Sequence, residues 1–544
     1  MAKGEKNKNN KNKKGISKNT RMMIIVIAAV VLLVGGLIAM IFLMPTCSSS
    51  NNVSPIESTY PTDADGREYA VDSKGNKIEN DEGVARDKNG KILQDGIVDI
   101  TTQGPLLVKK IEIENQSGTY TILSETPTEK ATDAQGNETE QTQQTIYTLV
   151  GFEDAALQTG QADSIANQAS NMSTTAIIDI KGENLGDYGL DKPRAKVTTT
   201  FTDGTVVKMD IGNDAPSDLG TYIKYSDKNE IYLTGKDSAN AFMFSVLDLL
   251  DKNITDKTTT EDAAKLESMT LSGAHFTDKV TIVPNDDETC AAYYKMTAPR
   301  EQFVNVVNGD TVKGNIRGLY ATAVISYHPS GDQLSEYGLS KPAATVEAKF
   351  ADGAGYKLSA SEADSDGNIY LYNHDSNIIY QLSATSVAWA TTSYEELKYE
   401  YVMKPVQDKL SSIEVTADGK TYKFELEKVT KTDDDGNETT STKITCGDKS
   451  IAESKFSTFF DNLTNVQRNG NGESASPSGK AVLTVKYNYN NGKAADTVSY
   501  YTADNRKMLA QVNGKSDTYV FETYTSKIIE DAPKLADGGT VTPI

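Results

Sequence analysis

The sequence contains little cysteine and shows no disulfide framework. Only three cysteines, Cys47, Cys290 and Cys446, occur in 544 residues, and none lies in a CxxC motif. An odd and sparse set of this kind does not form the paired framework of a disulfide-stabilised module. We therefore expect free thiols at Cys290 and Cys446.

Histidine is equally scarce, which argues against metal and catalytic chemistry. The three histidines, His275, His328 and His374, are far apart and have no metal-ligand spacing. A Ser-His-Asp triad does not depend on sequence order, but the chain offers no nucleophile with a recognisable neighbouring base. We expect no catalytic residue, no cofactor and no metal, and therefore no enzyme.

The chain is acidic, with a net charge of −21, but its first 21 residues are basic. They contain eight Lys or Arg residues and one Glu, so the remainder carries a net charge of −28. Such a surface repels nucleic acid and anionic lipid. The composition, 38% hydrophobic and 24% charged, is ordinary for a folded protein.

One long apolar run follows the basic tail. From Met22 to Met44 there are 23 residues without a charge, and about 20 such residues span a bilayer as a helix. The basic residues before the run place the N-terminus in the cytoplasm and the rest of the chain outside the cell. A cleaved signal peptide is one alternative, although no A-x-A-like site follows. A lipoprotein is another, although Cys47 lacks the usual small residue before it.

The predicted fold class is α+β and β-rich, with an N-terminal transmembrane helix and three related extracytoplasmic units of antiparallel strands. Each unit is expected to hold one or two short helices. The predicted division is a basic cytoplasmic tail (1–21), a transmembrane helix (22–44), a polar spacer with short hairpins (45–104), unit 1 (105–255), unit 2 (256–404), a divergent unit 3 (405–533) and a tail (534–544).

A duplicated nine-residue stretch is the clearest sign of these repeats. Its core is Tyr188-Gly189-Leu190 followed by Pro193, and it recurs 149 positions later as Tyr337-Gly338-Leu339 followed by Pro342. Glycine permits backbone angles that other residues avoid, and proline ends a helix and favours an extended neighbour. We therefore interpret both copies as structural corners that lead into a strand. Unit 3 lacks the corner.

Hairpins and helices are predicted before each corner position. Asp-rich turns at residues 133–139, 285–289 and 433–439 predict hairpin tips between strands. Helical spacing of apolar residues predicts helices at about residues 163–172 in unit 1 and 452–463 in unit 3. A weaker helix is predicted at about residues 312–321 in unit 2.

One acidic turn partly matches a calcium loop. Glu362, Asp364, Asp366 and Gly367 fit the early positions of such a loop, but position twelve is Asn373 where a bidentate Glu is needed. The run from Glu362 to Gly367 is therefore interpreted as a solvated hairpin turn, with calcium binding as the alternative.

The features of the repeat pattern are the corner, the strand that runs from it to Asp203-Gly204 or Asp352-Gly353, the Ile211-Gly212 pair and the later tyrosine-bearing strands. This pattern of features resembles the bacterial family called domain of unknown function 4340. The resemblance covers residues 105–530. It implies a membrane-anchored extracytoplasmic domain, often encoded beside components of gliding-motility-type ABC transporters. It supplies no catalytic motif to carry over.

These observations together lead to a functional hypothesis. We expect a single-pass cell-membrane protein, anchored in the lipid bilayer by Met22–Met44, that acts as an auxiliary subunit of an ABC-type envelope transport system. The expected partners are the permease and ATPase subunits, and no nucleic acid. The alternative is a cell-surface binding or adhesion protein that recognises a cell-wall or host ligand.

Overall fold

The structure, a computed structural model, describes residue 64 and residues 95–99, 103–132, 138–179, 181–432 and 438–544. The predicted membrane helix at residues 22–44, most of the polar spacer and the hairpin tips at 133–137 and 433–437 lie outside the described residues. The chain divides into two compact parts, Met1–Asp95 and Gly96–Ile544, and the account below concerns the second. Within the described residues, no helix is long and apolar enough to cross a membrane.

Three antiparallel sheets dominate the described chain, and we name the parts that hold them unit 1, unit 2 and unit 3. Unit 1 contains β1 (Asp95–Asp99), β2 (Val108–Asn115), β3 (Gly118–Glu125), β4 (Thr128–Thr132), β5 (Glu138–Thr142), β6 (Ile146–Leu149), β7 (Ser173–Asp179), β8 (Ala195–Phe201), β9 (Val206–Asp214), β10 (Thr221–Tyr225) and β11 (Ile231–Thr234). Unit 2 contains β12 (Leu266–Ser272), β13 (Val280–Pro284), β14 (Tyr294–Ala298), β15 (Gln302–Phe303), β16 (Ala323–Tyr327), β17 (Ala344–Phe350), β18 (Gly355–Ala360), β19 (Asn368–Asn373) and β20 (Ile378–Ser383). Unit 3 contains β21 (Leu410–Ala417), β22 (Lys420–Thr432), β23 (Glu438–Cys446), β24 (Lys449–Ile451), β25 (Leu483–Tyr489), β26 (Asp496–Thr502), β27 (Lys507–Val512) and β28 (Lys515–Phe521).

The helices are short. The α-helices are α1 (Gln161–Ser170), α2 (Lys236–Asn240), α3 (Glu261–Ala264), α4 (Val306–Gly314), α5 (Gly331–Glu336), α6 (Ala388–Thr391), α7 (Tyr394–Leu397), α8 (Glu453–Thr464) and α9 (Glu522–Ala536). The 3₁₀ helices are Pro105–Leu107, Leu185–Tyr188, Pro216–Asp218, Val246–Leu249, Ala384–Ser386 and Gln407–Lys409.

The three sheets share the order of their central strands. From one edge to the other the orders are β6-β3-β2-β8-β9-β10-β11-β7-β1, then β15-β14-β13-β12-β17-β18-β19-β20-β16, and then β24-β23-β22-β21-β25-β26-β27-β28, and β4 and β5 form a separate hairpin. In each sheet the first long strand pairs with a later strand in the same register. The matching buried pairs are Ile113 with Val197, Leu271 with Val346 and Val415 with Val485. Among the described residues of unit 3, no strand is equivalent to β7 and β16, which lead into the corners of units 1 and 2.

The core lies between each sheet and the helices on one face. Alternation of apolar and polar residues along the strands places the apolar set on that face. In unit 1, α1 packs against β2 and β8, and its Ile165 is fully buried. In unit 3, Phe456 and Phe459 of α8 pack against Phe424 of β22, with ring centroids 6.1 and 5.3 Å apart.

Two helix predictions need correction. The unit 2 helix predicted at about residues 312–321 is wrong in position, since α4 runs from Val306 to Gly314. The Asn305 side chain caps it by accepting a hydrogen bond from Asn308 N, and Gly318 adopts a φ of +73° that a helix does not permit. Unit 2 also holds five short α-helices, more than the one or two expected.

Candidate functional site

Two short linkers join the units, and each is built in the same way. The first linker, residues 249–256, lies between units 1 and 2, and we call its surroundings the first joint. The second linker, residues 397–405, lies between units 2 and 3, in what we call the second joint. Each linker pairs with the unit before it on one edge and the unit after it on the other.

In the first joint these pairings are backbone hydrogen bonds. Gln158 N donates to Leu249 O at 2.8 Å, and Ile254 N donates to Leu319 O at 2.9 Å. Leu157 pairs with Leu250 as an isolated antiparallel bridge. The linker therefore acts as a strand shared by the two units.

The second joint repeats the pattern 147 or 148 positions later. Asn305 N donates to Leu397 O at 2.9 Å, and Val402 N donates to Val466 O at 3.0 Å. The isolated bridge equivalent to Leu157–Leu250 joins Val304 to Lys398. Because the backbone is the same, the two joints can be compared side chain by side chain.

The comparison singles out Lys398, which occupies the position of Leu250. Leu250 is fully buried, and Lys398 is 3% exposed. A buried charge is costly unless it is paired, and Lys398 Nζ lies 2.7 Å from Glu395 Oε1 and 3.0 Å from Glu473 Oε1. Its ammonium also lies 4.5 Å from the ring centre of Tyr394. The second joint therefore buries a lysine, paired with two partly exposed glutamates, where the first buries a leucine.

Two arginines, Arg468 and Arg300, connect this cluster to Asp517 on β28 of unit 3. Arg468 Nε donates to Tyr399 O at 2.7 Å, and its Nη2 lies 2.8 Å from Asp517 Oδ2. Arg300 Nη1 donates to Ser516 O at 2.7 Å and lies 3.7 Å from Asp517 Oδ1. The carboxylate of Asp517, 2% exposed, is thus flanked by both guanidinium groups.

A second ionic cluster crosses the same joint. Lys493 Nζ of unit 3 lies 2.7 Å from Asp287 Oδ2 of unit 2 and 3.1 Å from Asp496 Oδ2, and it donates to Thr289 Oγ1 at 2.7 Å. Burial opposes ionisation of Asp287, but the hydrogen bonds from Lys493 and Thr289 outweigh it and lower its pKa. Burial likewise opposes the charge of Lys493, but the hydrogen bonds to Asp287 and Asp496 raise its pKa.

The second joint encloses a cavity of about 340 Å³ between units 2 and 3. Arg300, Gln302 and Phe303 form the wall from unit 2, and Arg468 and Asp517 form part of the wall from unit 3. The Gln302 Oε1 atom is buried and accepts no hydrogen bond within the described part of the chain. Pockets of this size at domain interfaces are common ligand sites, and this cavity is our candidate functional site.

The predicted corner residues lie elsewhere, at the entrances to β8 and β17. Gly189 and Gly338 have φ values of +69° and +72°, and Leu190 and Leu339 are buried. The flanking prolines, Pro193 and Pro342, precede the two strands. The Tyr188 ring contacts Tyr222 at a centroid distance of 5.0 Å, and the Tyr337 ring contacts Tyr370 at 4.6 Å. Both tyrosines therefore pack on equivalent strands.

The three histidines do not come together. His275 Nε2 lies 2.9 Å from Glu362 Oε1, His328 Nε2 lies 3.3 Å from Asp154 Oδ2, and His374 Nε2 lies 2.9 Å from Ser359 Oγ. Burial lowers the pKa of His374. In the described ranges no group of three or more His, Cys, Asp or Glu side chains could hold a metal.

The acidic turn is held by hydrogen bonds from its own backbone, and two of the cysteines are free thiols. Asp364 Oδ1 accepts hydrogen bonds from Asp366 N at 2.9 Å and Asn368 N at 2.8 Å, between β18 and β19. Cys290 and Cys446 are free, which confirms the prediction for these two residues. Burial raises the pKa of the Cys290 thiol to about 11.

The sequence model of the family described as "Domain of unknown function (DUF4340)" matches the chain twice, at residues 148–325 and 295–476. The chain belongs to this family. Each DUF4340 match begins inside one unit, ends in the next and contains the whole linker between them, so the family module includes a joint. The chain has no match among curated proteins or solved structures.

Sequence reasoning did not find the residues of the second joint. One local signal was present: Ser245 and Asp248 form a capping box before the first linker, and Ser393 and Glu396 form one before the second. The 148-residue spacing of these boxes aligns Lys398 with Leu250. The pairing of Arg300, Arg468 and Asp517 depends on tertiary contacts that no sequence pattern reports.

Proposed function

We propose that this DUF4340 protein is a membrane-anchored extracytoplasmic accessory protein without catalytic activity of its own. The apolar run from Met22 to Met44 and the basic tail before it support an anchor whose N-terminus is cytoplasmic. The units then project from the outer face of the cell membrane.

The observation that carries this proposal is that buried and half-buried charged side chains at the second joint connect one unit to the next. Lys398, Arg468 and Lys493 each contact a residue across the joint between units 2 and 3. Ion pairs across the joint hold unit 2 and unit 3 in one relative arrangement. An accessory subunit needs such an arrangement to present its surfaces to its partners.

We propose the permease and ATPase subunits of an ABC-type envelope transport system as those partners, on the strength of the family resemblance. The test is affinity purification of the full chain from its native membranes, followed by mass spectrometry. A permease and an ATPase should be recovered together with the chain. The control is the tagged segment 1–47, which keeps the proposed anchor and lacks the units. Recovery of the full chain alone, or equal recovery of the transporter with the control, contradicts the proposal.

A second candidate function is recognition of a cell-wall or host ligand, and the cavity at the second joint favours it. A cavity walled by two units gives a ligand contacts on both sides. The test is pull-down of the full chain by isolated cell wall or by a ligand array. Retention above that of an unrelated acidic protein supports this function, and equal retention counts against it.

A further inference from the structure

The lining of the second-joint cavity has an excess of positive charge in an otherwise acidic protein. The five basic residues of the lining are Lys295, Arg300, Arg468, Lys493 and Lys515, and the four acidic residues are Asp287, Glu301, Asp496 and Asp517. The whole chain carries a net charge of −21. The lining therefore carries one more positive than negative charge, in contrast to the chain as a whole.

Part of this charge is already neutralised. Lys493 is paired with Asp287 and Asp496, and Lys295 contacts Asp286. What remains is the end of the cavity near Ser516, where Arg300, Arg468 and Lys515 lie around the buried carboxylate of Asp517, and where Arg300 Nη1 also lies 3.7 Å from Glu473 Oε1. Glu301, the other acidic residue of the lining, is exposed.

The two guanidinium groups retain unused donors. A guanidinium has five N–H groups. Within the described residues Arg300 donates one hydrogen bond, to Ser516 O, and its nearest carboxylate oxygens are 3.7 Å away. Arg468 donates a hydrogen bond from Nε to Tyr399 O, and its Nη2 forms an ion pair with Asp517 Oδ2 at 2.8 Å. Free guanidinium N–H groups in a fork match the oxygens of a carboxylate or phosphate.

Lys515 adds a third cation on the same side. Lys515 and Asp517 both line the cavity, although a β-bulge at Asp517 interrupts the regular alternation of β28. Lys515 is exposed and forms no ion pair with any described residue, so its ammonium is free to meet an anion at the mouth of the cavity.

We propose that the second-joint cavity binds a small anion, a carboxylate or a phosphate, between Arg300, Arg468 and Lys515. The inference rests on the second proposed function and specifies the chemical class of its ligand. Because the walls belong to units 2 and 3, the anion adds contacts across the joint. In the first joint, Leu250 takes the place of Lys398.

The test is isothermal titration calorimetry on the full-length chain in detergent, with sodium phosphate and sodium succinate as separate probes at constant ionic strength. Binding of either probe is expected, and the probe that binds identifies the anionic group. Arg300→Gln should weaken binding about tenfold, since it removes a charge-assisted hydrogen bond. Arg506→Gln, the same change at an exposed arginine of unit 3, should leave the affinity unchanged.

Lys515→Gln keeps the test valid if Arg300→Gln does not fold, because Lys515 is exposed. It should weaken binding about threefold, as expected for loss of one exposed charge. No heat from either probe, or equal affinities in wild type, Arg300→Gln and Lys515→Gln, overturns the proposal. If a probe binds but isolated cell wall does not retain the chain, the ligand is a free solute. This outcome separates failure of the second proposed function from failure of the anion site.

Discussion

At the scale of single residues, the glycines of the two corners hold a backbone conformation that side chains disfavour. Gly189 and Gly338 lie in the left-handed region, which costs other residues roughly 1–2 kcal/mol. A Cβ on Gly189 would also stand 2.4 Å from the Asn213 side chain, whereas one on Gly338 would meet Ser361 Cβ at an ordinary 3.5 Å.

We predict that Gly189→Ala and Gly338→Ala each lower the free energy of unfolding by about 1–2 kcal/mol. The control is Gly331→Ala, at the first position of α5, where a Cβ meets open space. It should be neutral or slightly stabilising. Urea midpoints followed by circular dichroism check the series. If Gly189→Ala unfolds like Gly331→Ala, the corner does not need glycine, and a binding role for Tyr188 becomes the better explanation.

The buried thiol of Cys290 provides a second test at this scale. Its pKa of about 11 leaves little reactive thiolate near neutral pH. Cys446 is half-buried, so we predict that iodoacetamide at pH 8 alkylates Cys446 before Cys290 in the native protein. Peptide mass spectrometry measures both rates. Equal rates without denaturant would contradict the burial of Cys290, which pairs with Pro405 of the second linker as an isolated bridge.

At the scale of elements, the ionic clusters of the second joint make its stability depend on pH. The pKa of Asp287 is held below its usual value of 3.8. A carboxylate with a lowered pKa contributes stability that is present above the usual pKa and is lost as the pH falls through the folded-state value. Lys493, whose pKa is raised above 10.5, contributes below that pH and loses its contribution at higher pH.

We predict that Asp287→Asn lowers the free energy of unfolding by about 1–2 kcal/mol at pH 7, since it weakens a partly buried charged hydrogen bond. The difference from wild type should shrink as the pH falls below about 4. Asp286→Asn is the matched control, because its carboxylate is exposed and such pairs contribute little. Urea unfolding at a series of pH values checks both. A difference for Asp287→Asn that stays constant down to pH 2 contradicts the assigned ion pair.

Sequence patterns predicted the elements better than the joints between them. Alternation indicated the strands, and the helical spacing of Phe456 and Phe459 indicated α8. The unit 2 helix was misplaced because the cap at Asn305 outweighed a weak apolar pattern further along. The charges of the second joint were missed because burial of Lys398 and Arg468 depends on partners far away in the sequence.

At the scale of the whole molecule, two joints of identical backbone design carry different side chains. The first joint buries Leu250, and the second buries Lys398, whose carboxylate partners Glu395 and Glu473 remain partly exposed. Sites where a sequence departs from local packing rules are often functional. Because Lys398 replaces Leu250 only at the second joint, we place the proposed ligand site there.

The central claim is that the three units lie outside the cell on a membrane anchor, and cysteine labelling tests it most directly. In a chain whose three native cysteines are replaced by serine, Lys420→Cys places a thiol at the exposed first residue of β22, next to the turn from β21. A membrane-impermeant maleimide should label it in intact cells. Lys8→Cys, in the basic tail, should be labelled only after lysis. Labelling of Lys8→Cys but not Lys420→Cys in intact cells would contradict the account.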